Sequence, residues 1–449
     1  MRILLLAALA LTLTAATSPE RLRDAALEDD VALSIVEGLT TEVGQRLAGT
    51  EAEARARTWA VARLKALGFR NVHIEEYRMP TWERGAETAE IVSPFPQKMA
   101  VAALGHSGAT PPEGVTAEIA YFPDIAALRA APDAAVRGKI VFVSHGMRPA
   151  QDGSSYGYFG AVRRAGPAVA AAKGAAAIII RSLGTDYHRN PHTGLTQWAG
   201  ATPIAAGALS IPDAENLERM VKTGRKVTMR LVLTPRFTGE QVSGNVVAEV
   251  PGSDSRAGIV LIGGHLDSWD LGTGALDDAA GVAITAAAAK RNMDAGRPRR
   301  TIRVVWFGAE EVGGFGSTAY RAAHQNENVV FVSESDFGAD RVWRIDPGFT
   351  PANKPLLDRI AGLLAPLGIG VGPGPAGAGA DLGAWARAGV AALDLQQDGT
   401  RYFDIHHTPD DTFDKVDPEQ LRQNVAAWTA MLAEVANAPE AIERGPARE

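Results

Sequence analysis

Residues 301–316 read TIRVVWFGAEEVGGFG, an apolar run that stops at two adjacent glutamates, Glu310 and Glu311, before glycines take over. Side chains alternate faces along a strand, so paired acids at its end are ordinarily one solvated and one structural. The alternative is that one binds a cation and the other handles a proton. Around this stretch lie similar runs: GIVLIGG (258–264), NVVFVSESD (328–336) and GVAALDL (389–395). Helical segments separate them: an alanine-rich stretch after Asp278, one around Leu356 to Leu364, and a last one opened by Asp417, Pro418 and Gln420. The last carries Leu421, Val425, Trp428, Leu432 and Val435 at helical spacing. Near-continuous apolar strands between helices predict an α/β fold whose mixed, largely parallel sheet is sandwiched by helices.

The chain of 449 residues exceeds what one core normally spans, which favours two domains. In GTEAEARARTWAVARLKALGF (49–69), Thr50 and Glu53 form a capping box, Ala56, Ala60, Leu64 and Leu67 keep helical spacing, and Gly68 is a stop. A β-rich segment follows. Near residue 116 the texture changes to short β-branched runs and an alanine helix: GKIVFVSHG, AVAAAKGAAAIIIR, VTMRLVL. Residues 116–245 are therefore expected to form a smaller, inserted, β-rich α/β domain. The main domain would comprise 17–115 and 246–437, and 438–449 would be a flexible tail with too little apolar content to order itself. The histidines of HRNPHTG, His188 and His192, read as surface residues of a polar loop.

With 46% hydrophobic residues and a net charge of −7, the chain is globular and offers no basic footprint for nucleic acid. Its first 16 residues have an arginine, an apolar run from Ile3 to Leu13 too short to span a bilayer, and small residues at Ala15 and Ala16. That order predicts a signal peptide cleaved near Ala16 and a secreted or periplasmic bacterial protein. No other segment approaches the length of a membrane span. The absence of cysteine excludes disulfides and lipid-modified cysteine.

Acids and histidines gather at the strand ends, where open α/β sheets place their sites. They are His265 and Asp267, then Asp277 and Asp278, Glu310 and Glu311, Glu334 and Asp336, and finally His406, His407, Asp410 and Asp411. So many negative charges in one cleft repel each other and call for cations. Imidazole with carboxylate suits zinc, and a shared carboxylate suits a two-metal hydrolase. Residue types alone do not say which acid does what.

In order, GGHLDSWDLGTGALDDAAG, GAEEVGGFGS, SESDFG and HHTPDDT resemble the motifs of the co-catalytic zinc aminopeptidase and glutamate carboxypeptidase family, most closely its carboxypeptidase Q subfamily. NPHTG and IPDAENLERM resemble that subfamily's inserted protease-associated domain. The resemblance implies a zinc exopeptidase fold and two zinc ions. It implies His265 and Asp336 as ligands of one ion, Glu311 and His407 of the other, and Asp277 as the bridge, with a cis peptide between Asp277 and Asp278. Glu310 would be the general base, and Asp267 would orient the His265 ring. The pattern H-T-x-x-D-T selects His407 as ligand, leaving His406 as a substrate or oxyanion contact. Glu334 and Asp340 are the rivals to Asp336. Asp278, Asp410 and Asp411 would cap or donate structure, and the role of Asp381 stays open between site and scaffold.

The implied activity is hydrolysis of dipeptides or short peptides with a free amino end. Partners are then a peptide substrate, with no nucleic acid and no membrane span, and a homodimer is left open. Two rivals share the fold: a single-zinc glutaminyl cyclase and a non-catalytic receptor. The insert and the full bridging set oppose the first, and the presence of every expected ligand type opposes the second.

Overall fold

The structure, a computed structural model, describes residues 18–448; the expected signal peptide lies outside these residues. Two eight-stranded sheets organise the chain. The first runs, edge to edge, Arg70–Glu83, Arg236–Val250, Thr301–Phe307, Ile259–His265, Val329–Glu334, Ala391–Gln397, Val342–Gly348 and Gly370–Val371. Thr301–Phe307, Ile259–His265, Val329–Glu334 and Ala391–Gln397 are parallel neighbours, while Arg236–Val250 and Val342–Gly348 pair antiparallel on either side. The sheet is thus mixed with a parallel centre, as predicted.

Burial on both faces explains the apolar runs. Ala280–Asp294 and Pro418–Asn437 lie against one face with Val260, Ile262, Val304 and Trp306. Leu261, Val305, Phe307 and Val332 pack on the other face with Trp385 and Tyr320. Pro418–Asn437 begins at Asp417, whose carboxylate accepts from the amides of Glu419 and Gln420. Glu51–Ala66 is capped by Thr50, which accepts from Glu53 N at 3.3 Å. The reciprocal half of the expected capping box is absent, because the Glu53 side chain turns inward to Arg57 (2.8 Å) and Ser243.

The second sheet takes Gln97–Met99, Glu87–Ser93, Thr228–Leu233, Val115–Phe122, Ile140–Val143, Ala177–Arg181, Ala206–Leu209 and Val101–Ala103 in that order. Its strands begin at Glu87 and end at Leu233, so the boundaries expected at 116 and 245 both move. Residues 87–103, expected in the main domain, pair into the second sheet instead. Residues 236–245 belong to a strand of the first sheet. The chain crosses between sheets along one antiparallel ribbon: Glu83 is in register with Arg236, and Glu87 with Leu233.

The C-terminal segment also departs from expectation. Ile442 is buried, Gly445 N donates to the Gly389 carbonyl (2.8 Å), and Arg300 donates to the Glu440 carbonyl (2.6 Å). Backbone bonding to the first domain holds this stretch, which a count of its apolar residues could not foresee.

Candidate metal centre

The parallel strands deliver their last residues to one point. His265 ends Ile259–His265, Glu310 and Glu311 follow Thr301–Phe307, and Asp336 follows Val329–Glu334. Asp277 sits at the mouth of Ala280–Asp294, in a turn whose Asp277–Asp278 peptide is cis. His406 and His407 follow the short helix Tyr402–Ile405.

Asp277 is the hub. Its Oδ1 lies 3.0 Å from His265 Nε2, and its Oδ2 lies 3.1 Å from His407 Nε2. One carboxylate thus offers an oxygen to each of two imidazoles. Glu311 Oε2 stands 3.0 Å from His407 Nε2, and Asp336 Oδ1 stands 3.5 Å from His265 Nε2. His265, Asp277 and Glu311 bring their ligand atoms within 4.8 Å of one another, as do His265, Asp278 and Asp336. The sequence-predicted ligands therefore converge. Neither rival of Asp336 joins them: Glu334 accepts from the amides of Asp381 and Leu382, and Asp340 pairs with Arg401 at 2.6 Å.

Buried carboxylates in this number are unstable as anions on their own. Burial first, then repulsion from Asp277, pushes Glu311 up to about 7. Burial, then neighbouring carboxylates working against His265, holds Glu310 well above the usual range. Glu311 Oε1 is buried without a hydrogen-bond partner. An orphaned oxygen among imidazole nitrogens is the donor set expected of a zinc site, so the residues fit the metal that the sequence implied.

The surrounding bonds orient the set. His265 Nδ1 donates to the Asp267 carbonyl at 3.0 Å, fixing Nε2 as the nitrogen that faces the cluster. The Asp267 carboxylate stands farther off, at 3.6 Å, and its Oδ1 accepts from Glu310 N at 3.1 Å. The main chain of Asp267 thus orients the ring, and its side chain positions Glu310 instead. Asp278 accepts from His265 N and Gly281 N, and Asp411 from Leu276 N and Asp277 N, the capping roles expected of them. Asp410 accepts from Asn190 at 2.6 Å.

The paired histidines separate by their second nitrogen. Their rings stack at 3.6 Å, and both turn Nε2 to Asp277 Oδ2. His407 Nδ1 meets the Thr193 carbonyl at 3.3 Å, while His406 Nδ1 is buried with no partner. A ligating imidazole ordinarily donates its other N–H, which favours His407. His406 lines the cleft, but its Nε2 lies 3.2 Å from Asp277 rather than facing substrate space.

Three contributors were not foreseen, and all come from the second sheet's unit. His192 is fully buried, stacked on His407 at 5.1 Å, with Nε2 held by Arg163 Nη1 at 2.7 Å. Its reading as a surface histidine is therefore wrong, because the loop docks on the first domain; His188 does stay exposed. Arg163 and Tyr156 line the cleft beside it. Polar loop composition hides such docking, and only the adjacency of Thr193 to a motif histidine would have signalled it.

Comparison with known proteins adds independent findings. The sequence model described as Peptidase family M28 matches residues 245–432. Carboxypeptidase Q of Bos taurus is 36% identical over 413 residues, covering 90% of this chain and 85% of that protein. The crystal structure of a peptidase M28 precursor from Shewanella amazonensis superposes with a TM-score of 0.92 at 44% identity, covering 95% of this chain and 98% of that one. The zinc aminopeptidase BSAP of Bacillus subtilis shares the fold, with a TM-score of 0.66 at 21% identity over 92% of this chain and 97% of that one.

Proposed function

The chain belongs to peptidase family M28 and is a zinc-dependent metallo-exopeptidase; from that premise we propose that it is an exported di-zinc enzyme hydrolysing dipeptides or short peptides with a free amino end. The observation that carries the di-zinc reading is Asp277, one oxygen toward His265 and the other toward His407. His265 and Asp336 would hold one ion, Glu311 and His407 the other, with Asp277 between them. When bound, the ions supply Lewis acidity for the scissile carbonyl and a lowered pKa for water.

The chain's own residues do the rest. Glu310, held through its amide by Asp267 Oδ1, takes a proton from the attacking water on its carboxylate and returns it to the leaving amine. Thr193 fixes the His407 ring through Nδ1, and the Asp267 carbonyl fixes His265. His406 orders Asp277 Oδ2 from the cleft side. Strands 87–233 form the inserted protease-associated domain in this reading, and a signal peptide over residues 1–16 directs export.

Metal analysis of the purified chain tests the proposal together with peptide hydrolysis. Two zinc ions per chain and cleavage of unblocked dipeptides are expected. One zinc ion with cyclisation of amino-terminal glutamine would instead indicate the cyclase, and none would indicate a receptor.

A further inference from the structure

Residues 184–193 of the second domain lie along the turn that carries His406 and His407, and bonds join the two segments over their whole length. Thr185 N donates to the Phe403 carbonyl (3.1 Å), and the Thr185 hydroxyl donates to Asp404 Oδ1 (2.6 Å). Beyond the histidines, the Asn190 side-chain amide donates to Asp410 Oδ2 (2.6 Å). Thr193 and His407 bond twice: Thr193 N donates to the His407 carbonyl (3.0 Å), and His407 Nδ1 donates to the Thr193 carbonyl (3.3 Å). His192 accepts from Arg163 at Nε2, so its Nδ1 donates to the His406 carbonyl (3.3 Å).

The other proposed ligands are braced from within the first domain. His265 ends a strand with parallel neighbours on both sides, its N bonded to Asp278 and its Nδ1 to the Asp267 carbonyl. Asp336 follows Ser335, whose amide donates to the Gly263 carbonyl (3.0 Å). Glu311 lies in a turn closed by Gly313 N and Gly314 N on the Glu310 carbonyl, and Asp277 N donates to Asp411. His407 differs in two respects. Its φ is +60°, a region that residues other than glycine adopt uncommonly and keep only where the surroundings hold them. Within its own domain the turn is closed by His406 N to the Tyr402 carbonyl and Thr408 N to the Ile405 carbonyl, which leaves the His407 carbonyl and Nδ1 to Thr193.

We propose that residues 184–193 are a clamp on the metal centre, with Thr185 and Asn190 as positioning residues, and that the clamp sets the affinity of the ion held by Glu311 and His407 while the ion of His265 and Asp336 depends on the first domain alone. The proposal rests on the di-zinc reading above. Thr185 and Asn190 touch no proposed ligand, so they act through the turn. Their partners are carboxylates, and hydrogen bonds to ionised acceptors are the stronger kind. Both bonds are half-buried at the seam between the domains, so a slight parting there opens them together. His407 is then freed before any ligand of the other ion, and the centre gives up one zinc ion while keeping its neighbour.

The test strips the full chain of metal and titrates it with zinc against a chromogenic chelator, comparing wild type with Thr185→Val, Thr185→Ser, Asn190→Ala and the double variant Thr185→Val/Asn190→Ala. The first zinc ion is expected to bind with unchanged affinity throughout. The second should bind about 10–100-fold more weakly in Thr185→Val and in Asn190→Ala, the scale of one hydrogen bond to a charged group, whereas Thr185→Ser keeps the hydroxyl and should stay close to wild type. Imidazole nitrogen NMR of the one-ion double variant should show His265 metal-bound and His407 metal-free. Equal weakening of both ions, loss of the His265 ion first, or no weakening overturns the proposal. A metal-free readout separates the clamp from the di-zinc reading: hydrogen exchange of the Thr193 amide, protected by the His407 carbonyl, should quicken by about 10-fold or more in the variants while that of Thr301–Phe307 stays unchanged. A wild type that binds one zinc ion sinks the di-zinc reading; quickened Thr193 exchange then upholds the clamp, and unchanged exchange overturns it. The single variants decide the matter if the double variant fails to fold.

Discussion

At the scale of single residues, Glu310 and Glu311 share a sequence position in all but number yet face different tasks. Glu311 meets His407, whereas the backbone of Glu310 is pinned by Asp267. Glu310→Gln should therefore lower kcat by about 10²–10⁴-fold while zinc content, read by metal analysis, stays at the wild-type level. Glu53 offers a prediction about stability. Burial outweighs its ion pair with Arg57 and raises the carboxyl to about 7. The folded value exceeds the unfolded one, so the folded state favours the protonated form. The resulting penalty is absent below the unfolded pKa, grows as pH rises toward about 7, and is complete above it. Glu53→Gln should flatten this loss: between pH 5 and 8 the unfolding free energy of the wild type should fall relative to the variant by up to about 3 kcal/mol, measured in urea.

The proposed ligands were legible because His265, Glu311 and Asp336 stand at the ends of strong apolar strands, and Asp277 and His407 in turns between elements, all within motifs whose order is specific. Asp277 illustrates both reach and limit. Its neighbourhood announced a metal, but only coordinates show that its two oxygens address different imidazoles. Arg163 was invisible, since a basic pair early in an alanine-rich helix reads as a solvated face.

Among elements, Ala280–Asp294 matters most, because its first turn presses against the strand ends. A Cβ on Gly281 would collide with the Ser335 carbonyl and the Asp278 carboxylate. Alanine is the better helix former by about 1 kcal/mol, yet Gly281→Ala should destabilise by about 1–3 kcal/mol, the usual cost of overpacking. It should also lower zinc occupancy by displacing Asp278, which holds His265 N. A thermal melt with parallel metal analysis checks both. The sequence showed this helix by composition and its opening by Asp277 and Asp278. The close approach that requires glycine depends on the distance between helix and strand end, which no local pattern encodes.

For the molecule as a whole, the carboxylate cluster couples metal to stability. Chelation should lower the thermal midpoint, and readded zinc should restore it. At free zinc about 1,000 times Kd the linkage amounts to about 4 kcal/mol, a shift visible by calorimetry. Domain limits were the least legible feature. Glu87–Ser93 alternates much as Arg70–Glu83 does, so the change of sheet between them leaves no mark in hydropathy. What marks it is pairing, a non-local property.

The crossing between the sheets has a practical side. Outgoing and returning segments lie side by side, with Glu83 and Arg236 ion-paired across them. A segment whose two ends are neighbours can be cut out as a cassette and replaced by one from a relative without bridging any gap. Because that cassette carries Tyr156, Arg163 and His192 to the cleft, a chimera would exchange this facing wall while keeping the recipient's acids and paired histidines in place.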